Sequence, residues 1–250
     1  MRESRGRFRG VVQILTFNRD FYVSGLLAIV VGASVLVFVK LPFLLLLAGC
    51  IGLGVAAWWW VVSILASWWI YDHSALMDWN WIESFAPTPH PRWVNLHCGL
   101  DESTPQLIRL WGDPVGVFDF FDPSQMTEPS ILRARTLVVN PEASESASFS
   151  ALPIDSDSLD LACVVFSAHE LRDAKCREEL FRELFRGLKS GGRLLVVEHL
   201  RDLPNFLVFG PGFFHFFPRS QWIRTGEESG FSLRQEAKMT PYVSALVWEK

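Results

Sequence analysis

Charge is almost absent from one long stretch of this chain: of the fifty residues from Phe21 to Ile70, only Lys40 carries a formal charge. A helix on the surface of a soluble protein keeps a polar face, so this stretch cannot be a water-exposed hairpin. Cysteine is scarce too. Cys50, Cys98, Cys163 and Cys176 form no CxxC pair, and Cys50 lies inside the apolar stretch. That pattern argues against a structural zinc knuckle or a disulfide framework and suits a reducing compartment. Basic excess is also missing: the net charge is −4 over 250 residues. No nucleic-acid partner is expected on that balance.

What is abundant is aromatic and aliphatic side chain, with 11 Trp and 20 Phe, and its placement is uneven. Phe21 to Val39 has the length of one membrane crossing, about 20 residues. Lys40-Leu41-Pro42 interrupts it, and Pro42 suits the first turn of a second helix. The second run extends to Ile70, with a span expected at about residues 43–62. Trp58, Trp59, Trp60, Trp68 and Trp69 gather at its far end, as indole rings do at the headgroup level. The segment from Tyr71 to Phe85 is expected to lie along the membrane surface. Arg2, Arg5, Arg7, Arg9 and Arg19 precede the first span, so the positive-inside rule places both ends of the hairpin in the cytoplasm. Residues 1–85 thus read as a basic segment, a transmembrane hairpin and an interfacial segment.

Residues 86–250 read as one soluble α/β domain, entered through Ala86-Pro87-Thr88-Pro89-His90-Pro91. Strand-like runs are expected at 93–96, 115–121, 159–166 and 193–198, and helices at 104–111 and 175–188. Lys189-Ser190-Gly191-Gly192 is read as the stop of the second helix. Residues 231–238 and 242–249 suit a terminal antiparallel pair. Such alternation implies a mostly parallel sheet covered by helices, with ligands outside the carboxyl ends of its strands.

Leu152-Pro153-Ile154-Asp155, Ser158-Leu159-Asp160 with its strand, and Glu179-Leu180-Phe181-Arg182-Glu183-Leu184-Phe185-Arg186-Gly187-Leu188-Lys189-Ser190-Gly191-Gly192 followed by Arg193 to Glu198 resemble, in order and spacing, the class I S-adenosylmethionine (SAM) methyltransferases. The ubiquinone/menaquinone type is the nearest broad group. A bacterial membrane-anchored subset is closer still, through Ala168-His169-Glu170-Leu171-Arg172, Glu198-His199-Leu200-Arg201-Asp202 and Gly212-Phe213-Phe214-His215-Phe216. The resemblance implies a Rossmann-like SAM-methyltransferase domain with a terminal antiparallel strand, and SAM as cofactor. It implies a cofactor loop at Val94 to Glu102, where Asn95, His97, Gly99 and Asp101 occupy the family's positions but only Gly99 keeps a glycine. Asp101 or Glu102 would bind the amino end of SAM, or cap the next helix. Asp119 or Asp122 would hold the ribose hydroxyls, Asp119 by its distance from Gly99 and Asp122 by the Pro123 to Met126 that follows. The acidic residue expected before Leu152 is replaced by Ser148.

Methyl transfer needs an aligned nucleophile and sometimes a base. Candidates are His199 with Glu198 and His169 in support, and then Glu170 and His215. Arg172, Arg201 and Asp202 would bind an acidic group or tie the rim loops together. A buried histidine is as readily structural. His97, Glu102, His169 and His199 lack any metal-binding spacing, so no metal is expected. The aromatic segment 203–222 is expected to cap a substrate pocket, touch the bilayer again or merely cover the sheet. Together these features suggest a two-span protein of the bacterial inner membrane whose soluble domain faces the cytoplasm. It would methylate a lipophilic small-molecule acceptor. The alternative is a degenerate methyltransferase-like accessory subunit of a larger membrane protein complex.

Overall fold

The computed structural model describes residues 6–138 and 144–250; Arg2 and Arg5 lie outside them. By contacts the chain divides into two units. One comprises residues 1–74 with 203–213, the other residues 75–202 with 214–250.

The first unit is helical. A short helix, α1 (Arg9–Phe17), precedes the two long apolar helices α2 (Arg19–Phe38) and α3 (Phe43–Trp68). Asp72 accepts hydrogen bonds from the backbone N–H groups of Gly10 and Val11 at 2.7 and 2.8 Å. A carboxylate there satisfies two orphan donors and complements the helix dipole. Trp60 Nε1 donates to the Tyr22 carbonyl at 2.9 Å, joining α3 to α2. Both long helices are apolar enough to cross a membrane, and their side chains are not buried inside the protein: 6% and 0% of their most apolar windows are. Phe38 and Leu44 are 84% and 75% exposed. Part of the aromatic segment joins this unit. Trp58 Nε1 donates to the Leu207 carbonyl, Phe206 meets Trp59 edge-on, and Gly210, at φ +52°, lies so close to the Trp59 ring that a Cβ would stand 2.5 Å from it.

The second unit is built on a seven-stranded sheet. Its strands and helices run β1 (Trp93–His97), α4 (Thr104–Trp111), β2 (Gly116–Asp119), α5 (Pro129–Leu137), β3 (Glu145–Ser146), β4 (Leu159–Val165), α6 (Ala174–Gly187) and β5 (Leu188–His199). After α7 (Leu203–Phe209), which belongs to the first unit, come α8 (Arg219–Glu228), β6 (Ser232–Lys238) and β7 (Val243–Glu249). The spatial order is β3-β2-β1-β4-β5-β7-β6, parallel except for β7, which is antiparallel to both neighbours. Strands β1, β4 and β5 are buried along most of their length. Their near-continuous apolar runs are what a sheet covered on both faces requires. Register brings His97 beside Asp119 and Val165 beside Val197, so the carboxyl ends of β1, β2, β4 and β5 share one edge.

Two expectations meet a different geometry. Trp79, expected at the membrane surface, is buried, as are Leu76, Ile82 and Phe85. Lys189 to Gly192 is not a turn between helix and strand. α6 already ends at Gly187, and β5 runs through the glycines with Gly191 at φ +77°. The terminal Lys250 pairs with this stretch through Gly191 N–H and Gly192 C=O, both at 3.0 Å.

Candidate cofactor and acceptor site

The family-like motif in α6 has a mechanical role. Arg186 donates to the carbonyls of Ile154 and Leu152 at 2.8 and 3.1 Å, while Glu183 accepts from the Leu152 N–H at 3.0 Å and pairs with Arg186 at 2.9 Å. The Glu-x-x-Arg spacing places both side chains on one helix face, where they clamp the Leu152-Pro153-Ile154 segment that leads into β4.

At the edge formed by the carboxyl ends of the strands, β1 delivers His97 and then Gly99, which has φ +121°. His97 Nδ1 accepts the Gly99 N–H at 3.1 Å, so the neutral ring carries its proton on Nε2. That Nε2 is buried and has no partner. Burial holds the His97 pKa below 6.5, against the pull of Asp101 and Asp119. Asn95 donates to Asp101, Ser103 and Thr104. Asp101 Oδ1 accepts the N–H groups of Ser103 and Thr104, both at 3.0 Å. Asp101 therefore caps the start of α4.

Asp119 ends β2. Its carboxylate accepts the Phe121 N–H and is gripped at 2.9 and 2.7 Å by Arg135 Nη1, which also donates to the Cys98 carbonyl at 2.9 Å. The Arg135 guanidinium lies 4.1 Å from the Phe121 ring centre. A Cβ placed on Gly99 would collide with the Arg135 side chain. Asp122 instead folds onto its own turn. Its Oδ1 accepts both the N–H and the hydroxyl of Ser124 at 2.7 Å, bonds that hold its carboxyl below the usual range.

No family model matches the chain. It is 29% identical over 153 residues to a ubiquinone/menaquinone biosynthesis C-methyltransferase of Enterobacter sp. (strain 638), covering 59% of each. It is 27% identical over 165 residues to the corresponding protein of Vibrio parahaemolyticus, covering 64% of this chain and 62% of that one. The chain thus spans about three-fifths of the length of these curated relatives. Among solved structures, geranyl diphosphate C-methyltransferase from Streptomyces coelicolor A3(2), in complex with Mg2+, geranyl diphosphate and S-adenosyl-L-homocysteine, superposes with a TM-score of 0.51 at 15% identity, covering 74% of this chain and 81% of that one. The second unit has the class I SAM-methyltransferase fold.

In this domain the carboxyl ends of β4 and β5 carry a second cluster. His169 Nδ1 lies 2.7 Å from Glu198 Oε2, and the His169 N–H reaches Glu198 Oε1 at 3.3 Å. His169 Nε2 is 3.5 Å from Glu170 Oε1. His215 Nδ1 meets Glu128 Oε2 at 3.0 Å, and the His169 and His215 rings cross edge-on at 4.9 Å. Burial lowers the pKa of His169, but the Glu198 charge and bonds to Glu170 and Glu198 outweigh it and raise it to about 10.

His199 stands apart from this cluster. It is stacked on Phe216 at 4.7 Å and tilted over Phe166 at 5.6 Å. Consecutive strand residues face opposite sides of a sheet, so Glu198 can reach His169 while His199 turns to the aromatic rings. Arg201 donates to the carbonyls of Phe216 and Phe214, and Asp202 pairs with Lys238. The structure thus brings His169, Glu198, Glu170 and His215 together, with His199 on the other side of the strand and His97, Gly99 and Asp119 at the neighbouring strand ends. Sequence reasoning missed Arg135 and Glu128. The one signal for their region is Pro129, which opens α5 as Pro does at a first helical turn.

Proposed function

We propose that this chain is a membrane-anchored, SAM-dependent methyltransferase acting on a lipophilic small-molecule acceptor. The observation that carries the reading is the pairing of Gly99 with Asp119. A backbone with positive φ and no side chain follows β1, and a carboxylate stands beside it at the end of β2. Gly99 lets a ligand approach the backbone closely, Asp119 would accept the ribose hydroxyls, and the partnerless Nε2–H of His97 would donate to an anionic group of the cofactor. The residues fit SAM once Arg135 swings away from Asp119. SAM, when bound, supplies an electrophilic methyl group on a sulfonium.

Glu198 braces the His169 ring at the strand edge where the polar end of the acceptor would lie, and Phe166, His199 and Phe216 pack together on the other side of β5. Of the two ribose candidates, Asp119 is favoured because Asp122 is occupied by its own turn. The exposed apolar surfaces of α2 and α3 support a two-span anchor in a bacterial inner membrane, with the domain on the cytoplasmic side. Residues 203–213, packed on Trp58 and Trp59, support a second contact with the bilayer. A quinone or other isoprenoid-bearing acceptor suits that placement and agrees with the relatives' names. SAM titration of the full chain in detergent tests the reading: micromolar binding that Asp119→Ala weakens supports it.

Arg135 favours a second reading. An arginine held by Asp119 and the Cys98 carbonyl fills the space beside Gly99, as a domain that has given up the cofactor and serves as an accessory subunit would allow. Absence of SAM binding by both the native chain and an Arg135→Leu variant would decide for it.

A further inference from the structure

Glu170 is a charged side chain buried where water does not reach it, 6% exposed, with Oε2 lacking any hydrogen-bond partner. A buried carboxylate oxygen left unmatched is costly. Its neighbours explain what is missing. One donor atom each from His169, Glu170 and His215 lies within 4.8 Å of the other two. Both histidines have one ring nitrogen engaged by a carboxylate, His169 Nδ1 by Glu198 and His215 Nδ1 by Glu128. A carboxylate accepts, so each Nδ1 carries a proton, and each Nε2 is the ring atom left to face a ligand. At His169 that Nε2 faces Glu170 Oε1 at 3.5 Å, a gap bridged by a ring proton when the site is empty and open to a metal ion that displaces it. Something positive belongs between them.

The surrounding charge points the same way. Glu128, Glu170 and Glu198 contribute three negative charges, and among the described residues the fixed cation touching this group is Arg172, 3.8 Å from Glu128. The excess negative charge favours added positive charge, from ring protons in the empty site or from a divalent ion that displaces them. Arg172 also donates to the carbonyls of both His169 and His215, at 3.2 and 2.6 Å, and so ties together the two segments that carry the histidines.

We infer that His169, Glu170 and His215 form a binding site for one divalent first-row transition-metal ion, with Glu198 and Glu128 orienting the two histidines from behind. Two imidazoles and a carboxylate suit zinc, and carboxylates on the far ring nitrogens are the usual support of histidine ligands. Metal–ligand bonds of about 2.0–2.1 Å set donors roughly 3–3.5 Å apart. The His169–Glu170 pair is already at that spacing, and His215 closes by on the order of 1 Å. With three protein ligands, a fourth position stays open to an oxygen of water or acceptor. That last role rests on the methyl-transfer reading; metal binding does not.

The test uses the full-length chain in detergent, stripped with a chelator and titrated with zinc or with cobalt(II) as a spectroscopic probe. The expected result is one equivalent bound, with cobalt d–d bands that zinc abolishes. Glu170→Gln and His215→Gln should each lower zinc affinity at least ten-fold, and Glu128→Gln by about 10- to 100-fold. Asp119→Ala should leave zinc binding intact, so a failure to bind SAM is separable from a failure to bind metal. If the stripped native chain keeps its circular dichroism spectrum yet takes up no stoichiometric zinc or cobalt, protons on the two histidines fill the site and the inference falls. Full retention of zinc by both Glu170→Gln and His215→Gln would overturn it as well.

Discussion

Arg135 is where single-residue chemistry bears most directly on function. Its guanidinium holds both oxygens of the carboxylate that the proposed cofactor needs, so SAM and Arg135 compete for Asp119. Charge-assisted bonds of this kind are worth about 1.5–3 kcal/mol in favourable settings. Partial exposure of the pair reduces that, and Arg135→Leu should tighten SAM binding about 5- to 30-fold by calorimetry. Unchanged affinity would mean that the arginine leaves freely or that SAM binds elsewhere. His97 makes a separate, pH-linked statement. Its folded pKa lies below the ordinary 6.5, chiefly because it is buried. Below that pH the unfolded chain binds the extra proton, so this contribution to stability is complete above about pH 6.5 and shrinks as pH falls. Thermal unfolding midpoints of the native chain should therefore drop between pH 6.5 and 5 more steeply than those of His97→Gln. Parallel curves would show that the histidine does not titrate on unfolding. The sequence narrowed the ribose carboxylate to Asp119 or Asp122 but went no further, because the choice turns on where β2 stops. It gave no hint of Arg135, which reaches Gly99 only through the tertiary fold.

Among the elements, those with long apolar runs were legible from the start. β1, β4, α4, α6 and the β6–β7 pair lie within a residue or two of expectation, since burial on both faces or on one helical face leaves a clear pattern. Elements α5, α7 and α8 were not foreseen. The first is short and weakly patterned, and residues 203–222 are too uniformly aromatic to show a period. Lys189 to Gly192 misled because a Gly-Gly pair normally ends a helix, whereas here Gly191 turns within β5 and meets the chain terminus. The clamp from α6 is the element-level feature most open to test. Arg186→Ala removes two bonds to carbonyls and the Glu183 pair, each worth about 0.5–1.5 kcal/mol. The expected loss is about 1–2 kcal/mol, or a few degrees in thermal midpoint for a domain of this size. Arg182→Ala, on the exposed side of the same helix with only a Glu178 pair, should change the midpoint little. Equal effects from the two variants would deny the clamp any special role.

For the whole molecule, topology is the first question. A cysteine placed at Leu41, in the turn between α2 and α3, should react with a membrane-impermeant maleimide in intact cells. With exposed Cys50 and half-buried Cys176 replaced by Ser, the remaining Cys98 and Cys163 are buried, and burial raises the pKa of both thiols, so they should stay silent. Labelling at residue 41 only after the inner membrane is opened would refute the two-span orientation. The contact map has another consequence, for how the protein is made. The first unit draws residues 203–213 from late in the chain, after five of the seven strands of the second. The hairpin can enter a bilayer while the ribosome is still translating the sheet, yet Trp58 and Trp59 must wait for Phe206, Leu207 and Gly210. Folding of the first unit is therefore unfinished until most of the sheet has been synthesised. A nascent chain arrested at residue 200 should have hairpin tryptophans still accessible to quenchers, and release of the finished chain should protect them.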